Sequence, residues 1–212
     1  AASAPGTQIP AEYSIVIEGD FTPVASTAVG TGVILSDDFE HRCGLFGYFE
    51  DEGSSHGYQD GRFFIQVDSV EFYDLATTRE GLSHGVIEVD TLLTEPALDN
   101  SYGVTCRVQD YENYYAFEIT ADGQYSVYAL VNGRRETIVG LTPSAVINTG
   151  PDARNHIEVT CYRSGLRMIV NNNVLVNTVH DALRYGGVGL IHTTYSQGSA
   201  RVEFDDFVVR RP

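Results

Sequence analysis

The chain of 212 residues carries 13 arginines, no lysine and 29 acidic side chains, a formal net charge of −16. With no basic run it offers no footprint for a phosphate backbone, and an anionic membrane surface would repel it, so the charge argues against nucleic-acid and membrane-surface roles. At 42% hydrophobic and 20% charged residues it is not disordered by composition, and its length fits one all-β domain or at most two small ones.

In chain order, the first 36 residues hold three acids, Glu12, Glu18 and Asp20, and no base. They contain the β-forming runs Tyr13–Glu18 and Gly32–Leu35 and read as an N-terminal arm, with residues 37–212 as the domain. The longest stretch free of charge and His, Phe21 to Ser36, is broken by Pro23, Gly30 and Gly32, too short and too polar to span a bilayer. Alternation then predicts strands at Arg62–Val67, Val86–Leu92, Tyr102–Val108, Tyr114–Ile119 and Tyr125–Val131. It predicts more at His156–Tyr162, Leu166–Val170, Val174–Val179, Gly187–His192 and Arg201–Val209. Asp122-Gly123, Asn132-Gly133 and Asn171-Asn172-Asn173 mark tight turns between them. Only Thr178–Tyr185 hints at a helical turn. So many short strands predict an all-β, two-sheet antiparallel jelly-roll sandwich with an N-terminal β-strand arm.

Three cysteines are an odd count. Cys106 and Cys161 alternate with apolar neighbours, point to the core and are expected to pair; two buried thiols are the alternative. Cys43 is left over, free or paired between chains. The start, Ala1-Ala2-Ser3-Ala4, is what a signal peptidase would leave, or a mere chain boundary. Together these favour an extracellular or cell-surface protein, exported with a removed signal peptide.

The domain resembles the concanavalin A-like lectin/glucanase superfamily, in the form of exported bacterial single-sandwich, laminin-G-like modules. Asp37-Asp38-Phe39, Gly57-Tyr58-Gln59-Asp60-Gly61-Arg62, Cys106-Arg107 with Gln109-Asp110, and Asn113-Tyr114-Tyr115-Ala116-Phe117-Glu118-Ile119 carry the resemblance. Cys161, Leu166–Val170 with Asn171-Asn172, and Phe204-Asp205-Asp206-Phe207-Val208-Val209 complete it. It implies a jelly roll whose first and last strands are neighbours, and the Cys106–Cys161 pair. It implies no activity, because members range from hydrolases to binding modules. Such modules usually carry Trp near the start, where this chain has Gly44-Leu45-Phe46.

Laminarinase-type relatives place a nucleophile and an acid on one strand face in E-x-D-x-(x)-E. Here Glu88 and Asp90 share a face, but Leu92 or Leu93 replaces the second Glu. Gly53-Ser54-Ser55-His56-Gly57 matches G-x-S-x-G by letters only, lacking the strand–turn–helix setting, and the six His show no spacing that favours zinc. Asp37, Asp38, Asp205 and Asp206 come from strands that should pair and are candidate calcium ligands. No other cofactor is expected. On the middle strands Cys106, Val108, Phe117, Ile119 and Val127 are expected to face the core. Arg107, Tyr114, Glu118 and Tyr128, with Glu88 and Asp90, are expected to form an outward, sugar-binding face.

The leading expectation is therefore a non-catalytic protein that acts by contact with copies of itself. Ile15, Val16 and Ile17 would be the strand donated to a neighbour's edge, building a fibre or surface layer. The second is a monomeric glycan-binding module, and the third a glycoside hydrolase built on Glu88 and Asp90.

Overall fold

β-branched and aromatic residues at alternating positions bury one face of each strand, and this pattern builds two packed sheets. The computed structural model describes residues 32–41, 44–95 and 99–212. The strands of the first half are β1 (Val33–Asp37), β2 (Phe49–Glu50), β3 (Ser54–Gln59), β4 (Arg62–Val67), β5 (Phe72–Thr77), β6 (Gly85–Glu95) and β7 (Asn100–Asp110). Those of the second half are β8 (Asn113–Thr120), β9 (Gln124–Val131), β10 (Arg134–Pro143), β11 (Arg154–Tyr162), β12 (Gly165–Val170), β13 (Asn173–Val179), β14 (Gly187–Thr194) and β15 (Ala200–Arg210). One sheet of nine strands runs β13-β12-β11-β6-β15-β4-β3-β2, with β1 also on β15, and a six-stranded sheet runs β10-β9-β8-β7-β14-β5. Every pairing among the described strands is antiparallel. This is the expected jelly-roll sandwich, and the first and last described strands are neighbours, with Asp37 opposite Phe207.

Four departures from the sequence reading have physical causes. Val33–Ser36, read as the end of the arm, lie in β1 inside the sheet. β3 and β5 escaped the alternation count because their inward positions are polar: Ser54, His56 and Asp74 are buried. β10 escaped because it is an edge strand with little burial on either face. Thr178–Tyr185 forms no helical turn; its start completes β13 and the rest is irregular. The arm residues Ile15, Val16 and Ile17, and Cys43, lie outside the described residues.

The turns follow their chemistry. Asn132 (φ 51) with Gly133 (φ 72), and Asn171 (φ 49) with Asn172 (φ 65), close two-residue hairpins with positive φ at both central positions. The core between the sheets holds Phe63, Ile65, Ile87, Val89, Val104, Phe117, Ile157, Met168, Val202 and Phe204, all sealed from solvent. Cys106 and Cys161 form the expected disulfide, tying β7 of one sheet to β11 of the other. Phe46 is buried with its ring 5.1 Å from both Phe63 and Phe207.

Candidate functional site

The outer face of the nine-stranded sheet carries a surface groove. Arg62 on β4, Glu203 and Asp205 on β15, Asp90 and Leu92 on β6, and Arg154 and His156 on β11, with Asn171, line this groove of about 240 Å³. These side chains converge because adjacent antiparallel strands align them: Asp90 stands opposite Asp205 on one side and opposite His156 on the other. Two carboxylates directly opposite repel, and each is answered by a cation or donor. His156 Nδ1 lies 2.6 Å from Asp90 Oδ1. Arg62 donates to Glu203 at 2.9 Å and lies 3.8 Å from Asp205. Partial burial raises the Asp205 carboxyl above its ordinary range; the Asp206 amide and Arg62 oppose the rise, while the Asp206 and Asp90 charges add to it. The Arg62 guanidinium is held more firmly protonated by its bond to Glu203. Exposed Arg154 has no salt-bridge partner among the described residues.

A buried amide network fixes the groove floor. Asn155, 2% exposed, donates to Asn148 O at 3.0 Å and to the Tyr102 hydroxyl, and its Oδ1 accepts from Asn148 N and from Asn171 Nδ2. Thr91 donates to the Asn155 carbonyl at 2.9 Å, and Asn171 Oδ1 accepts the His156 amide. Burial pushes the Tyr102 phenol up to about 12, so it stays a neutral part of this network.

The structure scatters the sequence-derived site residues over both faces and one end of the sandwich. Asp90 lies in the groove. Glu88, two residues back on the same face, is paired with Arg210 at 2.9 Å. Leu92 continues that row in the position where a second acid would stand. The second carboxylate in the groove is Asp205, contributed by the neighbouring strand. Glu88 and Asp90 are thus on the opposite face of the sandwich from Tyr114, Glu118 and Tyr128, not beside them as expected.

Tyr114, Glu118 and Tyr128 do share the far face of the six-stranded sheet, but they are buried there, not exposed. Tyr114 and Tyr128 belong to a second apolar cluster with Leu75, Val108, Ala116, Leu130 and Ile191. Arg107 is not among them. Its backbone adopts φ 55, a bulge between the Cys106 and Asp110 pairings, and the alternation restarts beyond it. Val108, expected in the core, therefore lands on the far face. The Arg107 guanidinium turns instead to the end of the sandwich, where it donates to the carbonyls of Leu183 (2.6 Å) and Arg163 and lies 5.8 Å from the Tyr115 ring. Gly103, facing Glu118 in register, has no room for a side chain, which would strike the Phe117 carbonyl.

The four aspartates proposed as calcium ligands do not converge as a set. Asp37 accepts from Phe39 N, Leu45 N and the Tyr58 hydroxyl, pinning the loop after β1. Asp38 accepts from Glu40 N, Asp205 faces the groove, and Asp206 is exposed at a bulge with φ 51. Among the described residues no group of three or more His, Cys, Asp or Glu side chains is placed to hold a metal ion.

No protein-family model matches the chain, and no curated protein sequence matches it. Solved structures do. A carbohydrate-binding module of Bacillus subtilis, CBM66, shares 13% identity over 78% of this chain and 91% of its own, with a TM-score of 0.55. A protein of unknown function with a galectin-like fold, from the same organism, shares 7% identity over 86% of this chain and 96% of its own, TM-score 0.61. A GH43 protein of Bacillus licheniformis shares 14% identity over 84% of this chain but 39% of its own length, TM-score 0.63. What the chain shares with them is the all-β, two-sheet sandwich fold. At these identities the likeness speaks for the fold alone, and sandwiches of this kind host many activities.

Proposed function

We propose that the protein is an exported glycan-binding module that works by contact, with the Asp90–His156–Asp205 groove as its site. The observation that carries this reading is the groove itself. It combines planar hydrogen-bonding groups, Arg62, Arg154, His156, Asp90 and Asp205, on neighbouring strands above a fixed floor. Such convergent polar groups recognise hydroxyls through paired donors and acceptors. The B. subtilis neighbour named as a carbohydrate-binding module supports the same reading. The volume lies below the roughly 300–1,000 Å³ of closed ligand pockets, which suits a chain end or a short stretch of polysaccharide. None of the lining side chains is Tyr, Phe or Trp, so recognition rests on hydrogen bonds and specificity exceeds affinity. Binding is favoured over hydrolysis because each carboxylate is already engaged: Asp90 by His156, and Asp205 and Glu203 by Arg62. The disulfide fits an oxidising compartment. A screen of neutral and acidic polysaccharides tests the proposal: retention on at least one, abolished in Asp90→Ala and Arg154→Ala, is expected. Retention equal in both variants, or on no polysaccharide, contradicts it.

Self-association through the arm is the second reading, and the far edge of the nine-stranded sheet favours it. Among the described residues β13 ends the sheet, and it exposes Val174 (53%) and Val179 (70%) with no lysine to blunt the edge. A strand such as Ile15-Val16-Ile17 from another copy would extend the sheet there. Electron microscopy of the chain with and without residues 1–20 decides: filaments lost on truncation are expected, and discrete particles in both samples contradict it.

A further inference from the structure

The far face of the six-stranded sheet holds a carboxylate that its surroundings do not fully satisfy. Glu118 is 1% exposed. Its Oε1 accepts from the Tyr128 hydroxyl at 3.3 Å and from Thr193 Oγ1 at 3.2 Å, and Oε2 is buried without a well-aligned hydrogen bond; burial pushes the carboxyl pKa up, and Arg135, Ser101, Thr193 and Tyr128 oppose the rise. A carboxylate oxygen so placed is costly unless a cation or donor comes to it. Arg135, from the edge strand β10, lays its guanidinium over the Tyr128 ring, 3.8 Å from the centroid. The same guanidinium acts on both Glu118 and the Tyr195 hydroxyl. Tyr114 closes another side, its ring 6.3 Å from that of Tyr128 and steeply inclined to it.

An aromatic face, a second inclined ring and a buried, half-partnered carboxylate are the elements that hold weakly hydrated organic cations. We propose that this is a recognition site for a compact organic cation, a quaternary ammonium or guanidinium group, which Arg135 occupies as an intramolecular stand-in until a ligand displaces it. Arg135 is exposed and sits on an edge strand with register shifts at Thr137 and Val139, so it leaves without disturbing the core. A neutral sugar ring would stack on Tyr128 equally well but would not answer the Glu118 charge. The net charge of −16 draws cations toward the protein. The site lies on the opposite face of the sandwich from the groove and does not depend on the glycan reading.

The test is titration of the full chain with choline and with its uncharged isostere 3,3-dimethylbutanol, followed by Tyr ring chemical shifts. Arg135→Ala is expected to bind choline at least tenfold more tightly than the wild type. That gain is expected to vanish in Arg135→Ala/Glu118→Gln, and the isostere to bind at least tenfold more weakly. Arg135→Gln, which keeps the stem and removes the charge, gives the same readout should the alanine variant fold poorly. No gain in either variant, a gain that survives Glu118→Gln, or equal binding of the isostere overturns the proposal.

Discussion

His192 shows how one buried ring ties this fold to pH. It is fully enclosed on β14, donates from Nδ1 to the Ile65 carbonyl at 3.1 Å, and leaves Nε2 without a partner. Burial lowers its pKa from 6.5 to about 4; the Ile65 bond and the charge of Asp74, which is paired with His56 at 2.9 Å, only partly oppose the drop. The folded value lies below the unfolded one, so the unfolded chain takes up the proton first, and stability falls as pH drops from 6.5 toward 4. Between pH 7.5 and 5 this group alone removes about 2 kcal/mol. Urea unfolding at both pH values checks it: His192→Asn is expected to lose about 2 kcal/mol less than the wild type, and equal losses would contradict the assignment. The same scale shows why single residues were hard to place from sequence. Asp90 was legible as an outward acid, but its groove partner Asp205 was not, because only the β6–β15 pairing brings the two together. Simple alternation puts Arg107 on the outward face, but its φ of 55 breaks the alternation at that residue.

At the scale of elements, the strands with apolar inward faces were all readable, and those with polar inward faces or two exposed faces were not. β8 and β9 alternate cleanly because Tyr115, Phe117, Val127 and Ala129 enter the core. β3 and β5 meet through His56 and Asp74, a buried polar contact that looks like loop composition in sequence. The disulfide is the element-level device that joins the sheets. It closes a loop of 55 residues, for which the chain-entropy model gives about 4 kcal/mol. Cys106→Ala/Cys161→Ala is therefore expected to fold with stability lower by about 2–4 kcal/mol in urea. A loss under about 1 kcal/mol would show that packing of β7 on β11 does the work without the covalent link.

For the whole molecule, two sheets back to back create two outer faces with different chemistry. One carries an open polar groove over a rigid amide network; the other carries a closed layer of tyrosines over a buried glutamate. A charge of −16 keeps such a molecule soluble although its β13 edge is apolar and unguarded by lysine. Overall architecture was legible because alternation and turn chemistry agree along most of the chain. The division of polar residues between faces was not, since it depends on which strands become neighbours. The central claim is that the groove binds glycan, and isothermal titration of the polysaccharide retained in the screen into wild type and Asp90→Asn tests it most directly. The account predicts an affinity at least tenfold weaker for Asp90→Asn with unfolding midpoints alike; equal affinities for the two proteins would contradict it.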